Sequence, residues 1–446
     1  MISDADSFEG FTPDLFQKRR ERLLDALEGD VLVLPSAPVA RRSGDSEYRY
    51  RPSSELFYLT GFTEPGAVAV FRRREEAPDF LLFVQPKDAR AERWSGPRLG
   101  PSRAAERHGA EAHSVAELES SFSGLVADAE QIHYRLGSDA RCDRLVLAEL
   151  ERGRARVARK GTGPRGVTDP GRILDEMRLL KDHEEVEQIR RAAAVTVAGF
   201  RAAMVEARPG IGEWEIEAAL ESTFRRRGAR GPAFATIAGS GGNACVLHYV
   251  ENHDTVGPHD LVLLDGGAEV GLYAGDVSRT FPASGRFLPE QRAIYEIVLE
   301  AHGAALAAIA PGKTLAGVHD AATRVLVEGL VRLGVLEGET DGLLERKAHQ
   351  AYYPHRTSHW LGLDVHDVGD YVRDGRPRVL EPGMVLTVEP GLYFPPGGDE
   401  DRSAEYEGIG IRIEDDVLVT EEGMENLTEE LPVDVDGVEA LVGGTL

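Results

Sequence analysis

The stretch from Leu261 to Phe281, LVLLDGGAEVGLYAGDVSRTF, constrains this chain most, because it places two aspartates inside apolar, strand-like sequence. Leu261 to Leu264 predict one β-strand, and extended character resumes from Leu272 to Phe281 after a glycine-containing turn. Asp265 and Asp276 are symmetric about that turn, so an antiparallel hairpin of this register would set them opposite each other. Their Cβ atoms would then be about 5 Å apart.

Two half-buried carboxylates at this distance repel each other strongly. A divalent cation between them would remove the repulsion, since hard oxygen ligands suit magnesium, manganese and similar ions. A proton shared by the pair would also remove it, and a splayed hairpin would let both aspartates reach water. The pair by itself leaves these three alternatives open.

The composition narrows the class of protein. With 42% hydrophobic and 28% charged residues, the chain is typical of a soluble globular protein, and its 446 residues predict two domains. Seventy-six acidic against 51 basic residues give a net charge of −25, which argues against nucleic acid or an anionic membrane as a partner. No apolar run reaches the roughly 18 residues that a membrane span needs.

Two features favour the cytoplasm. The N-terminal segment MISDADSFEGF is acidic and lacks the basic flank and apolar centre of a signal peptide. The two cysteines, Cys142 and Cys245, provide no disulfide framework, which fits a reducing compartment. We therefore expect a cytoplasmic protein.

The composition also changes along the chain. Strand-like runs such as Ala67 to Phe71 alternate at first with helical patterns such as Val115 to Ala127, which is typical of an α/β domain. From Arg152 to Gly171, arginine, lysine, glycine and proline replace the apolar periodicity, and this indicates a domain boundary. We expect an N-terminal domain over residues 1–172 and a second domain over residues 173–446.

Trp94 stands in the segment ERWSGPRLG, beside glycines and a proline. These neighbours predict a loop. Packing within its own domain is the default interpretation for so large a side chain, and contact with an active site is the alternative.

The second domain repeats a pattern within itself. Asp182 opens its first long helix, and a Pro-Gly pair introduces one further helix in each half. Pro258 precedes LVLLDGG with Asp265 seven positions later, and Pro382 precedes MVLTVEPG with Glu389 also seven positions later. Two acids at the ends of apolar strands indicate equivalent positions in two halves of one folded unit, with the chemistry on the pseudo-axis.

A fourth acid lies in GIGIRIEDDVLVT, from Gly408 to Thr420. The isoleucines occupy one face of a predicted strand, which places Arg412 and Glu414 together on the other face. A salt-bridged strand surface is the simpler interpretation of this pair. Beside the other acids, Glu414 becomes a candidate metal ligand and Arg412 a partner that holds carboxylates in place.

The segment HRTSHWLGLDVHD, from His355 to Asp367, carries three histidines. His355 and His359 have the spacing of a zinc-protease helix, but Arg356 replaces the glutamate that this motif requires, and we reject that class. Partly buried structural histidines are the alternative. His248, in NACVLHYVEN, is equally ambiguous alone.

Four carboxylates and one histidine together exceed what a structural zinc site uses. They suit two metal ions about 3.5–4 Å apart with a bridging water or hydroxide as nucleophile. Such a site catalyses hydrolysis, with a carboxylate accepting the proton of the water and free histidines stabilising the tetrahedral intermediate. The candidate ligands are Asp265, Asp276, His359, Glu389 and Glu414.

At these residues the sequence resembles the pita-bread metallopeptidases, and within them the aminopeptidase P family. The resemblance rests on HYVEN, LLDGGAEVGLYAGDVSRTF, HRTSHWLGLDVHDVG, TVEPGLY and GIGIRIEDD, and on DSEYRYRPSSELFYLTGFTEPGAV and ERWSGPRLG in the N-terminal domain. It covers nearly the whole chain. The fold it implies is an α/β N-terminal domain followed by an α+β pita-bread catalytic domain with an internal pseudo-two-fold duplication.

The resemblance implies a dinuclear centre usually filled by manganese, with cobalt or zinc possible in vitro. Asp265 would bind one ion, His359 and Glu389 would bind the other, and Asp276 and Glu414 would bridge them. Glu389 would also accept the proton of the attacking water. These roles are carried over from the family's motifs residue by residue.

The family's motifs imply further roles around the substrate. His248 and His366 would contact the substrate or its transition state, and the proline pocket would be bordered by His355, Tyr393 and Arg412. Asp45 and Trp94 match residues that line the active site of a neighbouring subunit, which implies a homo-oligomer, either a tetramer or a dimer. The chain departs from its relatives at Arg356, where they often have glycine, so the pocket rim is altered.

The expected function is a metal-dependent aminopeptidase that releases the first residue from peptides with a penultimate proline. A peptide bond to proline has no N–H, so proteases that bind this N–H cannot use it, whereas a pocket shaped for the ring selects it. A prolidase, which cleaves only Xaa-Pro dipeptides, is the nearest alternative. A metal-free binding module and creatinase, a hydrolase without metals, share the fold and would lack the ligands.

Overall fold

A computed structural model describes residues 10–73, 78–397 and 401–444 of the protein. The chain divides into two compact units, Met1–Met177 and Arg178–Leu446. The boundary predicted from composition, between residues 172 and 173, stays a prediction and lies slightly earlier. The segment on which the expected absence of a signal peptide rests falls almost entirely outside the described residues.

The first unit is an α/β domain, as predicted, built on a six-stranded mixed sheet with the order β6-β5-β4-β1-β7-β8. Strand β1 lies at the centre, antiparallel to β4 and parallel to β7, and its VLVL residues are fully buried. The elements of this unit are α1 (Pro13–Ala26), β1 (Val31–Pro35), β2 (Arg41–Ser43), β3 (Ser46–Glu47), α2 (Ser54–Thr60), β4 (Val68–Phe71), β5 (Phe80–Val84), α3 (Ala89–Ser95), α4 (Gly100–His108), β6 (Glu111–Ser114), α5 (Leu118–Val126), β7 (Gln131–His133), α6 (Ala140–Lys160) and β8 (Gly166–Thr168), followed by α7 (Gly171–Leu179).

The segment from Arg152 that the composition marks as a boundary is helical as far as Lys160, the last residue of α6, whose N-terminus is capped by Asp139. The local predictions for Trp94 are wrong. Trp94 lies in α3 instead of a loop, since the Asp88 carboxylate caps this short helix by accepting from Arg90 N and Ala91 N. The Trp94 side chain is 89% exposed, so it does not pack within its own domain.

The second unit has an α+β fold. Its elements are α8 (His183–Glu206), α9 (Glu213–Arg226), β9 (Ile237–Ser240), β10 (Leu261–Gly266), β11 (Glu269–Val270), β12 (Tyr273–Ala274), β13 (Val277–Pro282), α10 (Pro289–Ala307), α11 (Leu315–Arg332), α12 (Thr340–Glu345), β14 (Val372–Arg373), β15 (Arg376–Pro377), β16 (Val385–Val388), β17 (Gly391–Phe394), β18 (Ile409–Arg412), β19 (Asp415–Val419), β20 (Met424–Asn426) and α13 (Val435–Leu441). None of the helices within the described ranges is long and apolar enough to cross a bilayer.

The predicted internal duplication is visible in the order of these elements. In the first half the helix pair α8 and α9 precedes the antiparallel strands β10 and β13, and in the second half α10 and α11 precede the antiparallel strands β16 and β19. One apolar core runs through both halves and includes Phe200, Leu220, Val298 and Leu386. The predicted helix start at Asp182 is confirmed by a capping box, in which Asp182 and Glu185 each accept from the other's backbone N–H.

The hairpin that carries the two aspartates has a different register from the predicted one. Its turn lies at Gly271 and Leu272, both with positive φ, as in the two-residue turns that favour a right-handed twist. Asp265 is therefore opposite Ser278, and Asp276 is displaced diagonally from it. The shift amounts to two residues, so both aspartates keep the same face of the hairpin, as the period-two geometry of strands requires.

In each helix pair, one glycine lets the two helices approach each other closely. A Cβ at Gly199 in α8 would lie 2.4 Å from Cε1 of Phe224 in α9, and a Cβ at Gly329 in α11 would lie 2.3 Å from Cγ2 of Ile297 in α10. Both distances are shorter than any normal contact between carbon atoms. Gly303, on the exposed face of α10, has no neighbour within 4 Å of its missing Cβ.

We expect Gly329→Ala to lower the free energy of unfolding by about 1–3 kcal/mol, because the extra methyl group overpacks the α10–α11 contact. Gly303→Ala should instead raise it by up to about 1 kcal/mol through helix propensity alone. Thermal and urea denaturation of both variants measures the difference. Equal effects of the two substitutions would contradict the close packing described for these helices.

Candidate metal centre

The candidate site lies within the second unit, in a cavity of about 810 Å³, which is a typical size for a small-ligand pocket. Side chains from both halves of the duplicated fold line it. Of the residues singled out in the sequence, those that line the cavity are His248, Asp265, Asp276, His355, His359, His366, Glu389, Arg412 and Glu414. The tertiary fold therefore brings all five candidate metal ligands to one cavity.

The candidate ligands stand where strands end or break. Asp265 is in β10, whereas Asp276 occupies the break between β12 and β13, and Glu414 occupies the break between β18 and β19. Backbone hydrogen bonds fix these breaks, since Glu414 N donates to Ser278 O at 3.0 Å. Glu389 follows β16, and its N–H donates to Thr357 O at 2.8 Å. These backbone hydrogen bonds therefore fix the positions of Glu414 and Glu389.

Three of the candidate ligands already have the spacing that a metal ion needs. One ligand atom from each of Asp276, His359 and Glu414 lies within 4.8 Å of the others. His359 Nε2 is 3.3 Å from Asp276 Oδ2 and 3.7 Å from Glu389 Oε1, so the fourth ligand is adjacent. His359 Nδ1 lies 3.0 Å from the carbonyl of Trp360, which only accepts, so Nδ1 carries the proton and donates to it. Nε2 is the nitrogen that faces the carboxylates, as in a metal-binding histidine.

Asp265, the fifth candidate, is held from the opposite side. Its Oδ2 accepts from Arg412 Nη2 at 2.5 Å, whereas its Oδ1 is buried and has no hydrogen-bond partner among the described residues. A buried carboxylate oxygen without a donor costs free energy, and a cation would remove this cost. This oxygen and the hard-ligand donor set fit divalent metal ions.

Burial raises the pKa of Glu389 to about 7 and the pKa of Asp276 to about 6. Burial and the neighbouring carboxylates raise the pKa of Glu414 well above its usual range. Burial alone would lower the pKa of His359, but its hydrogen bond to Asp276 and the charge of that carboxylate raise it to about 9. Without metal, the site therefore binds protons near neutral pH to reduce the repulsion among its acids.

A chain of hydrogen bonds determines the tautomer of His355. Arginine only donates, so Tyr393 Oη accepts from Arg412 Nη1 at 2.9 Å and donates its own proton to His355 Nε2 at 2.8 Å. The other ring nitrogen, Nδ1, then donates to the carbonyl of Arg356 at 2.8 Å. Burial, with the charge of Arg412, lowers the pKa of His355 to about 3, so this histidine is neutral.

The remaining predicted residues have different positions. Tyr393 is buried behind the cavity and does not line it, while the rings of His366 and His359 meet edge to face at 4.4 Å. Asp45 and Trp94 are exposed residues of the first unit. Their predicted part in a neighbouring subunit's site stays a prediction.

Sequence reasoning missed two residues that organise the site. Ser278 donates to Glu414 Oε2 at 2.7 Å and accepts from Arg412 Nε at 2.8 Å, so it links a candidate ligand to the arginine. Its position two residues after Asp276 on one strand face was the available signal. Glu213, fully buried at the start of α9, accepts from Ser240 N at 2.7 Å and from Tyr249 Oη at 2.9 Å, thereby fixing the loop that carries His248. Nothing in the local sequence indicates this role.

Comparison with known proteins assigns this fold and site to a class. The model of metallopeptidase family M24 matches residues 187–421, more than half of the chain, and the model of the aminopeptidase P N-terminal domain matches residues 16–133. The chain belongs to metallopeptidase family M24. Members of this family are metallopeptidases, so the chain is a hydrolase that uses divalent metal ions.

Individual proteins similar to this chain narrow the comparison further within the family. An Xaa-Pro aminopeptidase of Escherichia coli is 43% identical over 430 residues, which cover 96% of this chain and 97% of that protein. An Xaa-Pro aminopeptidase of Haemophilus influenzae is 37% identical over 430 residues, with 96% of each chain covered. The structure of aminopeptidase PepP from Pseudomonas aeruginosa matches with a TM-score of 0.93 and 42% identity, covering 97% of this chain and 98% of that one. Within the M24 family the chain is thus similar to aminopeptidase P over almost its full length.

We expect metal ions and protons to compete for the carboxylates of the site. The pKa values of Asp276 and Glu389 are raised above their ordinary values of 3.8 and 4.5, so the metal-free protein loses stability as pH rises from about 4 to about 7. His359 contributes in the same direction, because its raised pKa stabilises the fold at low pH and this stabilisation is lost as pH rises through about 9. Metal replaces the protons, so the increase in Tm on adding manganese should be larger at about pH 8 than at about pH 5.5.

Glu414→Gln is the matched variant for this experiment, because it removes one charge and keeps the shape and an acceptor for Ser278. The metal-free variant should be more stable than the native protein at about pH 8 and should lose most of the metal-induced increase in Tm. Differential scanning calorimetry with and without manganese measures both effects. A metal-induced shift in Tm that is the same at both pH values would argue against the carboxylates as ligands.

Proposed function

We propose that this protein is a metal-dependent exopeptidase that hydrolyses the bond between an N-terminal residue and a penultimate proline. The observation that carries the proposal is the cluster of three buried carboxylates, the partly buried Glu389 and one histidine in a single cavity, where one oxygen of Asp265 has no hydrogen-bond partner among the described residues. The similarity to Xaa-Pro aminopeptidases over 96% of the chain supports aminopeptidase activity over that of a prolidase. All five candidate ligands are present, so the metal-free members of the fold are poorer analogues.

Asp265, Asp276, His359, Glu389 and Glu414 would hold two divalent ions. Manganese is the ion that the family resemblance implies, and the similar E. coli aminopeptidase P has been obtained in a zinc-substituted form with product. When bound, such ions polarise a carbonyl group and lower the pKa of water. His359 is oriented for this purpose by its hydrogen bond to the Trp360 carbonyl. Arg412, which also lines the cavity, keeps Asp265 in position by donating to its Oδ2.

Glu389 is the proposed acceptor of the proton from the attacking water. Its Oε1 faces His359 Nε2 at 3.7 Å, and its Oε2 faces His355 Nδ1 at 3.5 Å. One carboxylate therefore spans the metal ligands and the neutral imidazole of His355. His248 and His366, which also line the cavity, are the groups proposed to contact the substrate and its transition state.

The cavity also accounts for the choice of proline. The peptide bond to proline is a tertiary amide without an N–H, so the site has to recognise proline by the shape of its ring. The wall includes apolar side chains, among them Ile237, Leu247, Val250 and Tyr371. The linked side chains of His355, Tyr393 and Arg412 are rigid because each is hydrogen-bonded to the next. We assign the proline pocket to this region.

The protein is further proposed to act as a cytoplasmic homo-oligomer, either a tetramer or a dimer. The exposed side chains of Trp94 and Tyr48, together with the exposed Asp45, support this proposal, since large exposed aromatic residues are common at interfaces. In an oligomer Asp45 and Trp94 would line the site of a neighbouring subunit. Peptides are the proposed partners, and the net charge of −25 argues against nucleic acid and anionic membranes.

The test of the function is a kinetic profile over peptide length. We expect manganese-dependent release of the first residue from Xaa-Pro-Yaa and longer peptides, slower cleavage of Xaa-Pro dipeptides, and no cleavage when alanine replaces proline. Chelation by EDTA should abolish activity, and added manganese should restore it. Activity that survives exhaustive chelation, or is confined to dipeptides, would contradict the proposal.

Glu389→Gln should reduce kcat by about 10²- to 10⁴-fold, the usual contribution of a general base, because the amide cannot accept the proton. The KM for an Xaa-Pro-Yaa peptide should change far less. Metal content, measured by mass spectrometry, separates loss of the base from loss of an ion. Glu381→Gln, on an exposed turn before β16, is the matched control and should retain native kcat.

A further inference from the structure

Arg356 is the one arginine lining the cavity whose side chain has no partner among the residues that the structure describes. No hydrogen bond or ion pair of its guanidinium occurs there, and the side chain is exposed. Arg412, the other arginine of the cavity, is buried and occupied by Asp265, Tyr393 and Ser278. Among the described residues, the Arg356 guanidinium is thus a positive charge on the cavity wall whose N–H donors have no partner.

The backbone on either side of Arg356 is fixed even though its side chain is open. The Arg356 carbonyl accepts from His355 Nδ1 at 2.8 Å. Thr357 is fully buried, with its Oγ1 at 2.6 Å from Tyr353 Oη and at 2.9 Å from His319 Nδ1. Thr357 O also accepts from Glu389 N. The base of the Arg356 side chain is therefore rigidly connected to the reacting region.

The charges of the cavity leave this arginine without an acid of its own. If two divalent ions occupy the site, their four positive charges balance the carboxylates of Asp265, Asp276, Glu389 and Glu414. Arg412 and Arg356 then remain as positive charges in a partly enclosed space. An anionic group of the substrate would be attracted to the one that is exposed, and the planar guanidinium matches a carboxylate in two-point contact.

We propose that Arg356 binds the C-terminal carboxylate of Xaa-Pro-Yaa tripeptides, on the leaving-group side of the cleaved bond. The inference rests on the proposed function and names its preferred substrate length. A residue of extended chain spans about 3.5 Å, so the carboxylate of a tripeptide lies about 7 Å beyond the cleaved carbonyl, and that of a dipeptide only about half as far. His355 lies beside Glu389, and Arg356 follows it toward solvent, as the tripeptide requires.

Such a contact would act on binding more than on chemistry. The carboxylate is remote from the atoms that react and makes the same contact in the ground state and in the transition state. It should therefore lower KM for tripeptides with little effect on kcat. Amidation of the C-terminus, or its extension by further residues, removes the anion from this position.

The experiment compares kcat/KM for a tripeptide Xaa-Pro-Ala with that for its C-terminal amide in the manganese enzyme. The native protein should favour the free acid by about threefold to tenfold, as expected for a partly exposed ion pair, and the difference should lie in KM. In Arg356→Gln the ratio should fall to about one, and in Arg356→Lys it should be intermediate because the charge is kept and the fork is lost. Arg226→Gln, at the exposed end of α9 and outside the cavity, should keep the native ratio.

Inhibition by the product dipeptide Pro-Ala, compared with its amide, provides a second readout that does not depend on turnover of the tested ligand. Arg356→Gln should weaken inhibition by the acid more than inhibition by the amide. An active native enzyme that cleaves acid and amide equally well would overturn this assignment and leave the proposed function intact. Absence of cleavage of every Xaa-Pro peptide would instead refute the proposed function itself.

Discussion

The repulsion among four clustered carboxylates, three of them buried and Glu389 partly buried, is the interaction on which the rest of the catalytic unit depends. The raised pKa values of Asp276 and Glu389 show that these acids do not ionise together without compensation. In the metal-free protein the positive charges are protons, the His359 imidazolium and Arg412. A structure that accepts this cost in its core is arranged for cations, because buried acids without partners would otherwise be replaced by apolar side chains.

The scaffold resists this repulsion by tying the two halves of the fold together directly beneath the acids. Arg279 is fully buried and donates to Glu414 O at 2.6 Å and to Ser278 O at 3.0 Å. It also donates to Asp415 Oδ1 at 2.7 Å and to Leu431 O at 2.8 Å. One guanidinium thus fastens β13, which follows Asp276, to the strand break that carries Glu414. The ligand geometry is therefore a property of the duplicated fold and not of either hairpin alone.

Function follows from the way in which polar side chains are oriented around this centre. The hydrogen-bonded series Arg412, Tyr393 and His355 leaves His355 neutral beside Glu389, whereas His359 directs its Nε2 toward the acids. Burial, with the charge of Arg412, lowers the pKa of His355, whereas the hydrogen bond and charge of Asp276 outweigh burial at His359 and raise its pKa. A single cavity thereby combines a cluster of carboxylates, an imidazole nitrogen directed toward them and a neutral imidazole.

Local patterns in the sequence determined the α/β and α+β classes, the start of α8 at Asp182 and the identity of the five candidate ligands, because apolar periodicity, helix caps and strand-end acids are short-range features. The motifs also indicated Arg412 but not its partner. Only the tertiary structure decided the hairpin register, the contact between Arg412 and Asp265, and the exposure of Trp94. These depend on turn geometry and on packing between residues far apart in the chain, as in the 147 positions that separate Asp265 from Arg412, and no local pattern encodes them.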